Sequence, residues 1–321
     1  MKVRIAVALV VLALTSACGS PGAPQAVTVT PVNAMPGGAE EIGTAPAAGN
    51  ADCDREASLR PGPQPAPGAM PPGSTMANIL ARGRLIVGVD QSTNLFGSRN
   101  PATGQLEGFD VDLARELARS IFGDPNRVDL RVVTAAQRET ALQEGQVDLV
   151  VRTYSITCDR KKKVAFSTPY YIAKQRILAT KNSGIRTAAD LSGKRVCAVK
   201  GTTSLAALFA LDPRPTLYGV GQWTDCLVMV QQGQVDAIST DDAVLAGLAV
   251  QDPNVQMVGA GMGSEPYGVG VKKESSDLVR FVNGVLARMR TDGTWDRLYN
   301  AHLTSLGPSP GPPQARYQDG P

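Results

Sequence analysis

The chain of 321 residues has a single histidine, His302, and no two cysteines in a C-x-x-C spacing. Ser-His-Asp and Cys-His catalysis need a histidine beside the nucleophile, whereas His302 lies alone in a polar segment near the C-terminus. Structural zinc sites need clustered cysteines and histidines. These shortages argue against both types of hydrolase, and we expect neither a metal nor a cofactor.

A strong charge of one sign is also missing. The formal net charge is only +3, and the one dense cationic run spans Arg160 to Lys163. A nucleic-acid-binding domain normally carries a broad basic face. We therefore expect no nucleic-acid partner.

The chain begins with an apolar stretch that is too short to span a bilayer comfortably. It lies within Met1 to Leu14, contains Lys2 and Arg4 near its start, and leads into small residues before Cys18. We predict a signal peptide over residues 1–18.

The end of this signal, LTSACG from Leu14 to Gly19, resembles a bacterial lipobox. The resemblance implies a diacylglycerol on Cys18 that anchors the exported protein to the outer face of the cytoplasmic membrane. A plain secretory signal is the alternative.

Bulky apolar residues are scarce in two further stretches. Residues 19–75 and 307–321 are rich in proline, and the first also in glycine and alanine. Such a composition cannot bury enough apolar surface to fold. We expect a disordered tether and a disordered tail around a folded body from Met76 to Leu306, about 230 residues and enough for two lobes.

One short phrase occurs twice, as LQEGQVDLVV from Leu142 to Val151 and as VQQGQVDAIS from Val230 to Ser239. In each copy a polar helix end is followed by a glycine and then by an apolar run of strand length. The repeat predicts two similar α/β lobes, each with a mostly parallel sheet flanked by helices, although chance resemblance of two αβ units is the alternative. Ligands bind beyond the carboxyl ends of such strands, so the residues after each copy are candidate site residues.

The strand and helix patterns also suggest where the lobes begin and end. We expect the first lobe over residues 76–175 and 267–306 and the second over 176–266. The segments Lys174 to Thr180 and Glu265 to Lys272 are expected to cross between them as a two-strand hinge. The last helices should pack on the first lobe.

Four cysteines remain besides Cys18, and an even set in an exported chain normally forms disulfides. Three pairings are possible. Cys197 and Cys226 both fall in the predicted second lobe, which favours that pair and leaves Cys53 to bond with Cys158. Free buried thiols are the alternative.

Several motifs resemble those of the bacterial extracellular solute-binding proteins of family 3, which capture polar amino acids for ABC transporters. The most specific is GFDVDLARELARSI, Gly108 to Ile121, and it is joined by SITCDRKKKVAFSTPYY, GTTSL, STDD, PYGVGV and DGTWDRLY. The tether, cysteines and tail further resemble the glutamine-binding lipoproteins of mycobacteria and their relatives. The resemblance covers Arg84 to Leu306 and implies a two-lobed periplasmic-binding-protein-like fold that closes on its ligand.

The resemblance implies roles for residues that follow the two copies. Arg160 would grip the α-carboxylate of an amino acid with its planar guanidinium, or else be a solvated surface charge. Thr153 and Ser155 would offer backbone and hydroxyl groups, unless they are ordinary strand-end residues. Asp241 would hold the α-ammonium, with capping of the next helix as the alternative.

The stretch Thr202, Thr203 and Ser204 opens a predicted helix in the second lobe. Unpaired amides at a helix start attract anions, so the ligand carboxylate is expected to meet them as well. Helix capping alone is the alternative.

The side chain of the ligand is harder to predict. Arg176 lies where members that bind acidic ligands carry an arginine, whereas Asp90 would favour an amide and is offset by Lys200 and Arg152. Phe96 is expected to form an apolar wall over the ligand or to lie in the core. We expect Asp or Glu as the preferred ligand and Asn or Gln next.

The resulting hypothesis is a monomeric, lipid-anchored binding protein that delivers an amino acid to an ABC permease and is not an enzyme. One alternative keeps the binding site but passes ligand status to a transmembrane sensor. Another is an extracytoplasmic enzyme of the dehydratase type on the same fold.

Overall fold

A computed structural model describes residues 35–45 and 52–319. The predicted signal peptide and the lipidation site at Cys18 lie outside these residues. The described residues form these α-helices: α1 (Thr75–Arg82), α2 (Phe109–Phe122), α3 (Arg138–Gln143), α4 (Cys158–Lys163), α5 (Thr203–Phe209), α6 (Trp223–Gln231), α7 (Asp242–Ala249), α8 (Ser276–Thr291) and α9 (Thr294–His302).

The strands among the described residues belong to two main sheets and three small ones. Their bounds are β1 (Glu40–Glu41), β2 (Ala57–Ser58), β3 (Leu85–Val89), β4 (Ser92–Thr93), β5 (Gly97–Arg99), β6 (Leu106–Glu107), β7 (Val128–Val132), β8 (Leu149–Val150), β9 (Val164–Phe166), β10 (Tyr171–Ala173), β11 (Gln175–Thr180), β12 (Arg195–Val199), β13 (Thr216–Val220), β14 (Ala237–Asp241), β15 (Val255–Val258), β16 (Glu265–Tyr267), β17 (Gly270–Lys272) and β18 (Arg316–Tyr317).

The first lobe is built on a five-stranded sheet in the order β7-β3-β8-β17-β9. β3 runs parallel to β7 and β8, and β17 returns antiparallel to β8 and β9. Alternate residues of β3 face opposite sides of the sheet. Leu85 and Val87 are buried in a core shared with α1, α2, α8 and α9, whereas Ile86 packs against a smaller core on the other side. The last helices therefore pack on the first lobe.

The second lobe is built on a six-stranded sheet in the order β1-β13-β12-β14-β11-β15. β12 runs parallel to β13 and β14, and β11 runs antiparallel to β14 and β15. Helices α5, α6 and α7 supply the rest of its core. A disulfide joins Cys197 in β12 to Cys226 in α6, which confirms the predicted pair.

Two short strands connect the lobes. β10 pairs antiparallel with β16, so that Tyr171 lies opposite Tyr267 and Ala173 opposite Glu265. The first crossing was predicted over Lys174 to Thr180, and this position is wrong. Residues Gln175–Thr180 form β11 inside the second sheet, because their apolar side chains are buried in the core of that lobe.

The repeated phrase has the same local structure in both lobes. Gly145 and Gly233 have φ of 68° and 66°, the left-handed values that end the preceding helix. The aspartate that follows opens a central strand in each case and accepts a hydrogen bond from the neighbouring parallel strand. The distances are 2.8 Å from Ile86 N to Asp148 Oδ2 and 2.8 Å from Arg195 N to Asp236 Oδ2.

The described part of the predicted tether is ordered on the body, which corrects the expectation of disorder there. β1 adds a strand to the edge of the second sheet, and β2 pairs with β18 of the predicted tail. Cys53 forms the predicted disulfide with Cys158, and Ser58 Oγ donates to Phe166 O over 2.6 Å. These segments have no core of their own, but strand addition and backbone hydrogen bonds to the body do not require one.

Within the described part of the chain, none of the helices combines the length and the apolar character that crossing a bilayer requires.

Candidate functional site

The residues after the two copies of the phrase meet at a small polar cavity. Both lobes contribute to its wall. The lining residues are Arg138, Arg152, Thr153 and Ser155 from the first lobe and Thr202, Thr203, Ser204, Trp223, Thr240, Asp241 and Val244 from the second. This is the position that the strand-end rule for open α/β sheets predicts.

A larger concavity of about 460 Å³ lies elsewhere, between β2, β9 and α8. Its half-buried Lys161 already donates to Asp54 O and Ala57 O, both over 2.7 Å. No converging pair of opposite charges with unpartnered buried atoms faces it among the described residues. The smaller cavity between the lobes is therefore the better candidate site.

Arg138 also lines this cavity, and the sequence did not single it out as a site residue. It is buried, and it donates to Ala135 O over 2.9 Å and to Gly201 O of the second lobe over 3.0 Å. Its guanidinium carbon lies 4.3 Å from the centre of the Tyr154 ring. Burial lowers the pKa of Arg138 well below its usual value, and the charges of Arg160 and Arg152 lower it further. An anion in the cavity would relieve this cost.

Arg152 lines the cavity, and two of its side-chain nitrogens are bonded within the first lobe. Its Nη2 forms an ion pair of 3.0 Å with Asp90, and its Nε donates to Val133 O over 2.7 Å. Its Nη1 is buried without a hydrogen-bond partner among the described residues. A buried donor of this kind is costly unless a ligand accepts from it.

Asp241 supplies the opposite charge. It is the last residue of β14, lines the cavity, and accepts a hydrogen bond from the Tyr267 hydroxyl on Oδ2 over 2.5 Å. Its Oδ1 is buried and has no hydrogen-bond partner among the described residues. Burial raises the pKa of Asp241 to about 8, and the charge of Glu265 raises it as well. An ammonium group beside Asp241 would favour its ionised form.

Hydroxyl groups from the two lobes meet at the same place. Thr203 Oγ1 lies 3.4 Å from Ser155 Oγ and donates to Glu265 Oε2 over 2.9 Å. Ser204 Oγ and Thr240 Oγ1 are 3.0 Å apart. The predicted residues Thr153, Ser155, Thr202, Thr203 and Asp241 are therefore brought together.

Arg160 is not among the residues that line the cavity, but it bonds to Ser155, which is. Its Nη1 donates to Ser155 O over 2.6 Å and its Nη2 to Gly201 O over 3.0 Å. It is 9% exposed, so it is not a solvated surface charge. Because Gly201 O also accepts from Arg138, the two guanidinium groups converge on one carbonyl of the second lobe.

Besides Arg160, four predicted site residues do not line the cavity. Arg176 donates to Gly259 O over 3.0 Å, and Lys200 bonds to Gly38 O and Glu40 on the surface. Phe96 is fully buried, with its ring 5.2 Å from that of Tyr171. Asp90 is held by Arg152 and by the turn that follows it.

The lining residues that the sequence analysis did not single out have weak local signals. Arg138 stands in a polar helical stretch, where an arginine is normally solvated. Trp223 opens α6 directly after β13, so a search beyond every strand end would have included it. Glu265 is not a lining residue but accepts from Thr203, and it lies on the connecting strand β16, far from either copy of the phrase.

The geometry suits a small zwitterion. Guanidinium groups of the first lobe and a carboxylate of the second face one buried volume, and both sides carry an unpartnered polar atom. The two charged ends of an amino acid match these atoms: its carboxylate can accept from a guanidinium group, and its ammonium can donate to the carboxylate.

Most of the chain matches one protein family. The model of the bacterial extracellular solute-binding proteins, family 3, matches residues 85–305. The chain belongs to this family. Membership makes it a solute-binding protein and confirms the expectation that it is not an enzyme.

Relatives within family 3 have been named for the amino acids they bind. The ABC transporter glutamine-binding protein of Bacillus subtilis is 38% identical over 226 residues, which cover 70% of this chain and 83% of that protein. The glutamate-binding protein of Corynebacterium glutamicum is 32% identical over 72% of this chain and 82% of that protein.

Solved structures of amino-acid-binding proteins have the same two-lobed fold. The solute receptor for L-cysteine of Neisseria gonorrhoeae gives a TM-score of 0.69 at 30% identity, covering 72% of this chain and 94% of that chain. An ancestral arginine-binding protein bound to glutamine gives 0.65 at 33% identity, covering 69% and 98%. The predicted fold class is confirmed.

Proposed function

We propose that this family 3 member is an exported, lipid-anchored protein that captures an amino acid with an acidic side chain and presents it to an ABC permease. Aspartate and glutamate are the preferred ligands, and asparagine and glutamine follow. The observation that carries the proposal is the pair of unpartnered buried atoms, Arg152 Nη1 and Asp241 Oδ1, on two residues that line one cavity from opposite lobes.

The α-ammonium is assigned to Asp241. Glu265 supplies a second negative charge nearby, because it raises the pKa of Asp241. Ammonium groups bind best where carboxylate oxygens are buried and otherwise unpaired. Asp241 Oδ1 meets both conditions.

The α-carboxylate is assigned to Arg160, with the hydroxyls of Ser155 and Thr203 beside it. Arg138 and the free Nη1 of Arg152 are then available to the side chain of the ligand. Asp90 already balances Arg152, whereas Arg138 forms no ion pair among the described residues. This excess of positive charge favours a side-chain carboxylate over an amide.

The charges that line the cavity limit the ligand. Lysine and arginine are disfavoured because Arg138 and Arg152 would repel their side chains.

The ligand assignment is tested by thermal shift of the purified protein with each of the twenty amino acids. We expect aspartate and glutamate to raise the melting temperature most, asparagine and glutamine less, and lysine and arginine not at all, because binding to the native state stabilises it. No shift with any of the first four would contradict the proposal.

Two arginine variants form a matched pair for the same assay. Arg138→Gln should lower affinity for aspartate and glutamate by about 10- to 100-fold, the loss expected for one charge-assisted contact, and affect asparagine and glutamine less. Arg176→Gln should leave all four affinities within about threefold, since Arg176 bonds outside the cavity. The reverse order would show that the side-chain carboxylate lies near Arg176.

The anchor and the transport role are proposals that rest on the lipobox-like sequence and on the names of the relatives. Cys18→Ser should move the protein from the membrane fraction to the medium, as expected when an acyl anchor is lost. Deleting the gene should abolish uptake of labelled aspartate through this route. Unchanged uptake would mean that the protein binds the amino acid without delivering it for transport, as a sensor would.

A further inference from the structure

Thr153 has an unusual backbone for a residue that lines the cavity. Its φ is 37°, in the left-handed region that a β-branched residue rarely adopts. It is buried, and it follows directly on Arg152. A conformation of this kind persists only where the surroundings hold it.

Asp110 is the side chain that holds it. The carboxylate is 1% exposed, and its Oδ2 accepts the Thr153 N–H over 2.8 Å. Its Oδ1 accepts the Tyr170 hydroxyl over 2.7 Å. Both oxygens are therefore used inside the first lobe, and Asp110 is not among the residues that line the cavity.

The conformation of Thr153 fixes groups that matter for binding. Arg138 Nη1 lies 3.4 Å from Arg152 O and 3.5 Å from Thr153 O. The first is the carbonyl of the peptide whose N–H Asp110 accepts, and the second is the carbonyl of the next peptide. Ser155, two residues further on, accepts from Arg160 through its carbonyl. A change of φ at Thr153 would move the carbonyls that orient both arginines.

We propose that Asp110 is a positioning residue for the amino-acid site: it holds Thr153 in the left-handed conformation and thereby orients Arg138 and Ser155. This inference rests on the proposed function, because it concerns how that site is kept in its binding geometry. Asp110 itself makes no contact with the ligand.

The test is a double-mutant cycle with Asp110→Ala and Thr153→Gly, read as affinity for L-glutamate and L-glutamine by calorimetry at one fixed pH. Asp110→Ala removes the acceptor of the Thr153 N–H and should weaken binding by about 10- to 100-fold, as expected when such a buried hydrogen bond is lost. Glycine adopts positive φ without help. In the Thr153→Gly background, Asp110→Ala should therefore weaken binding by less than about threefold, because the two effects are coupled.

A Tyr170→Phe variant separates positioning from a general structural role. It removes the other hydrogen bond of Asp110 and leaves the one to Thr153. We expect a lower melting temperature but an affinity within about threefold of the wild type. If Asp110→Ala weakens binding equally in both backgrounds, or if Tyr170→Phe weakens it as much, the positioning role is wrong.

Failure of this inference is distinguishable from failure of the proposed function. If the wild-type protein binds neither probe, the function is wrong. If the wild type binds both and Asp110→Ala binds as tightly, only the positioning role is wrong.

Discussion

At the scale of single residues, the charge state of Asp241 controls the proposed site. Burial raises its pKa to about 8, followed in size by the charge of Glu265, while the Tyr267 hydroxyl, which donates a hydrogen bond to it, and Arg138 lower it. Asp242 raises it slightly. Near neutral pH the carboxyl group is therefore mostly protonated unless a cation lies beside it. Binding of an ammonium group should release this proton.

Affinity should consequently depend on pH. We expect it to rise by up to tenfold per unit between about pH 6 and 8 and to level off above the pKa of Asp241. Calorimetry in two buffers of different ionisation enthalpy measures the released proton. Asp241→Asn should bind weakly and lose this slope. A slope that survives in Asp241→Asn would assign the proton to another group, with Asp110, whose pKa burial raises to about 7, as the next candidate.

Stability of the unliganded protein should have the opposite trend. The folded-state pKa of Asp241 lies above that of the unfolded chain, so its protonated form stabilises the fold fully below about pH 4. That contribution is lost as the pH rises through about 8. Urea unfolding should give a lower free energy at the upper end of this range, and the difference should shrink in Asp241→Asn.

The sequence located part of the site because strand ends are recognisable. Thr153, Ser155 and Asp241 follow the two copies of the repeated phrase, and the cavity lies there. Arg138 was missed because nothing in a polar helical stretch separates a buried arginine from a solvated one. Arg176 was misplaced because the direction of a side chain depends on the strand register, which the sequence does not reveal.

At the scale of elements, the repeated phrase predicted more than a similar pair of lobes. The aspartate in each copy accepts an N–H at the start of the neighbouring parallel strand, from the second residue of β3 and the first of β12, which fixes the register of β8 on β3 and of β14 on β12. An arginine pairs with each aspartate as well, Arg82 with Asp148 and Arg195 with Asp236. Each arginine is distant from its aspartate in the chain. The repeated phrase therefore predicted the strand but not the residues to which its aspartate bonds.

Removing one of these aspartates should destabilise the lobe without affecting the site. Asp236→Ala should lower the free energy of unfolding by about 1–2 kcal/mol, mainly through the lost backbone hydrogen bond, since the partly exposed ion pair with Arg195 adds little. Asp236→Asn keeps an acceptor and should cost less. Urea unfolding measures the stability of both variants.

The affinity for the ligand is the control for this change. It should stay within about threefold, because Asp236 precedes β14 whereas Asp241 ends it. A large loss of affinity at unchanged stability would contradict this.

At the scale of the whole molecule, the segment before the predicted body contacts both lobes. Residues 35–42 add β1 to the second sheet, where Ile42 N donates to Leu217 O over 2.8 Å and Met35, Ala39 and Ile42 pack on the core. Cys53 is bonded to Cys158 of the first lobe. The composition of this segment predicted a free tether, because composition indicates only how much apolar surface the segment can bury by itself.

This arrangement makes the edge of β13 dependent on β1. Ile42→Pro removes the N–H that donates to Leu217 O and the apolar side chain that packs beside Gly219. We expect a loss of about 1–3 kcal/mol in stability, from one hydrogen bond and part of one buried side chain. Amide hydrogen exchange should become faster in β13 (Thr216–Val220) and stay unchanged in β3 (Leu85–Val89), since β1 touches only the second sheet.

The matched control for this change is Glu41→Ala. Glu41 is exposed and pairs with Tyr218 through its backbone, which alanine retains. Its stability should stay within about 0.5 kcal/mol of the wild type. Equal exchange rates of β13 in Ile42→Pro and Glu41→Ala would mean that β1 does not protect this edge, and the segment would then be joined to the body only from Cys53 onward. Faster exchange in Ile42→Pro alone would make residues 35–42 a structural part of the second lobe.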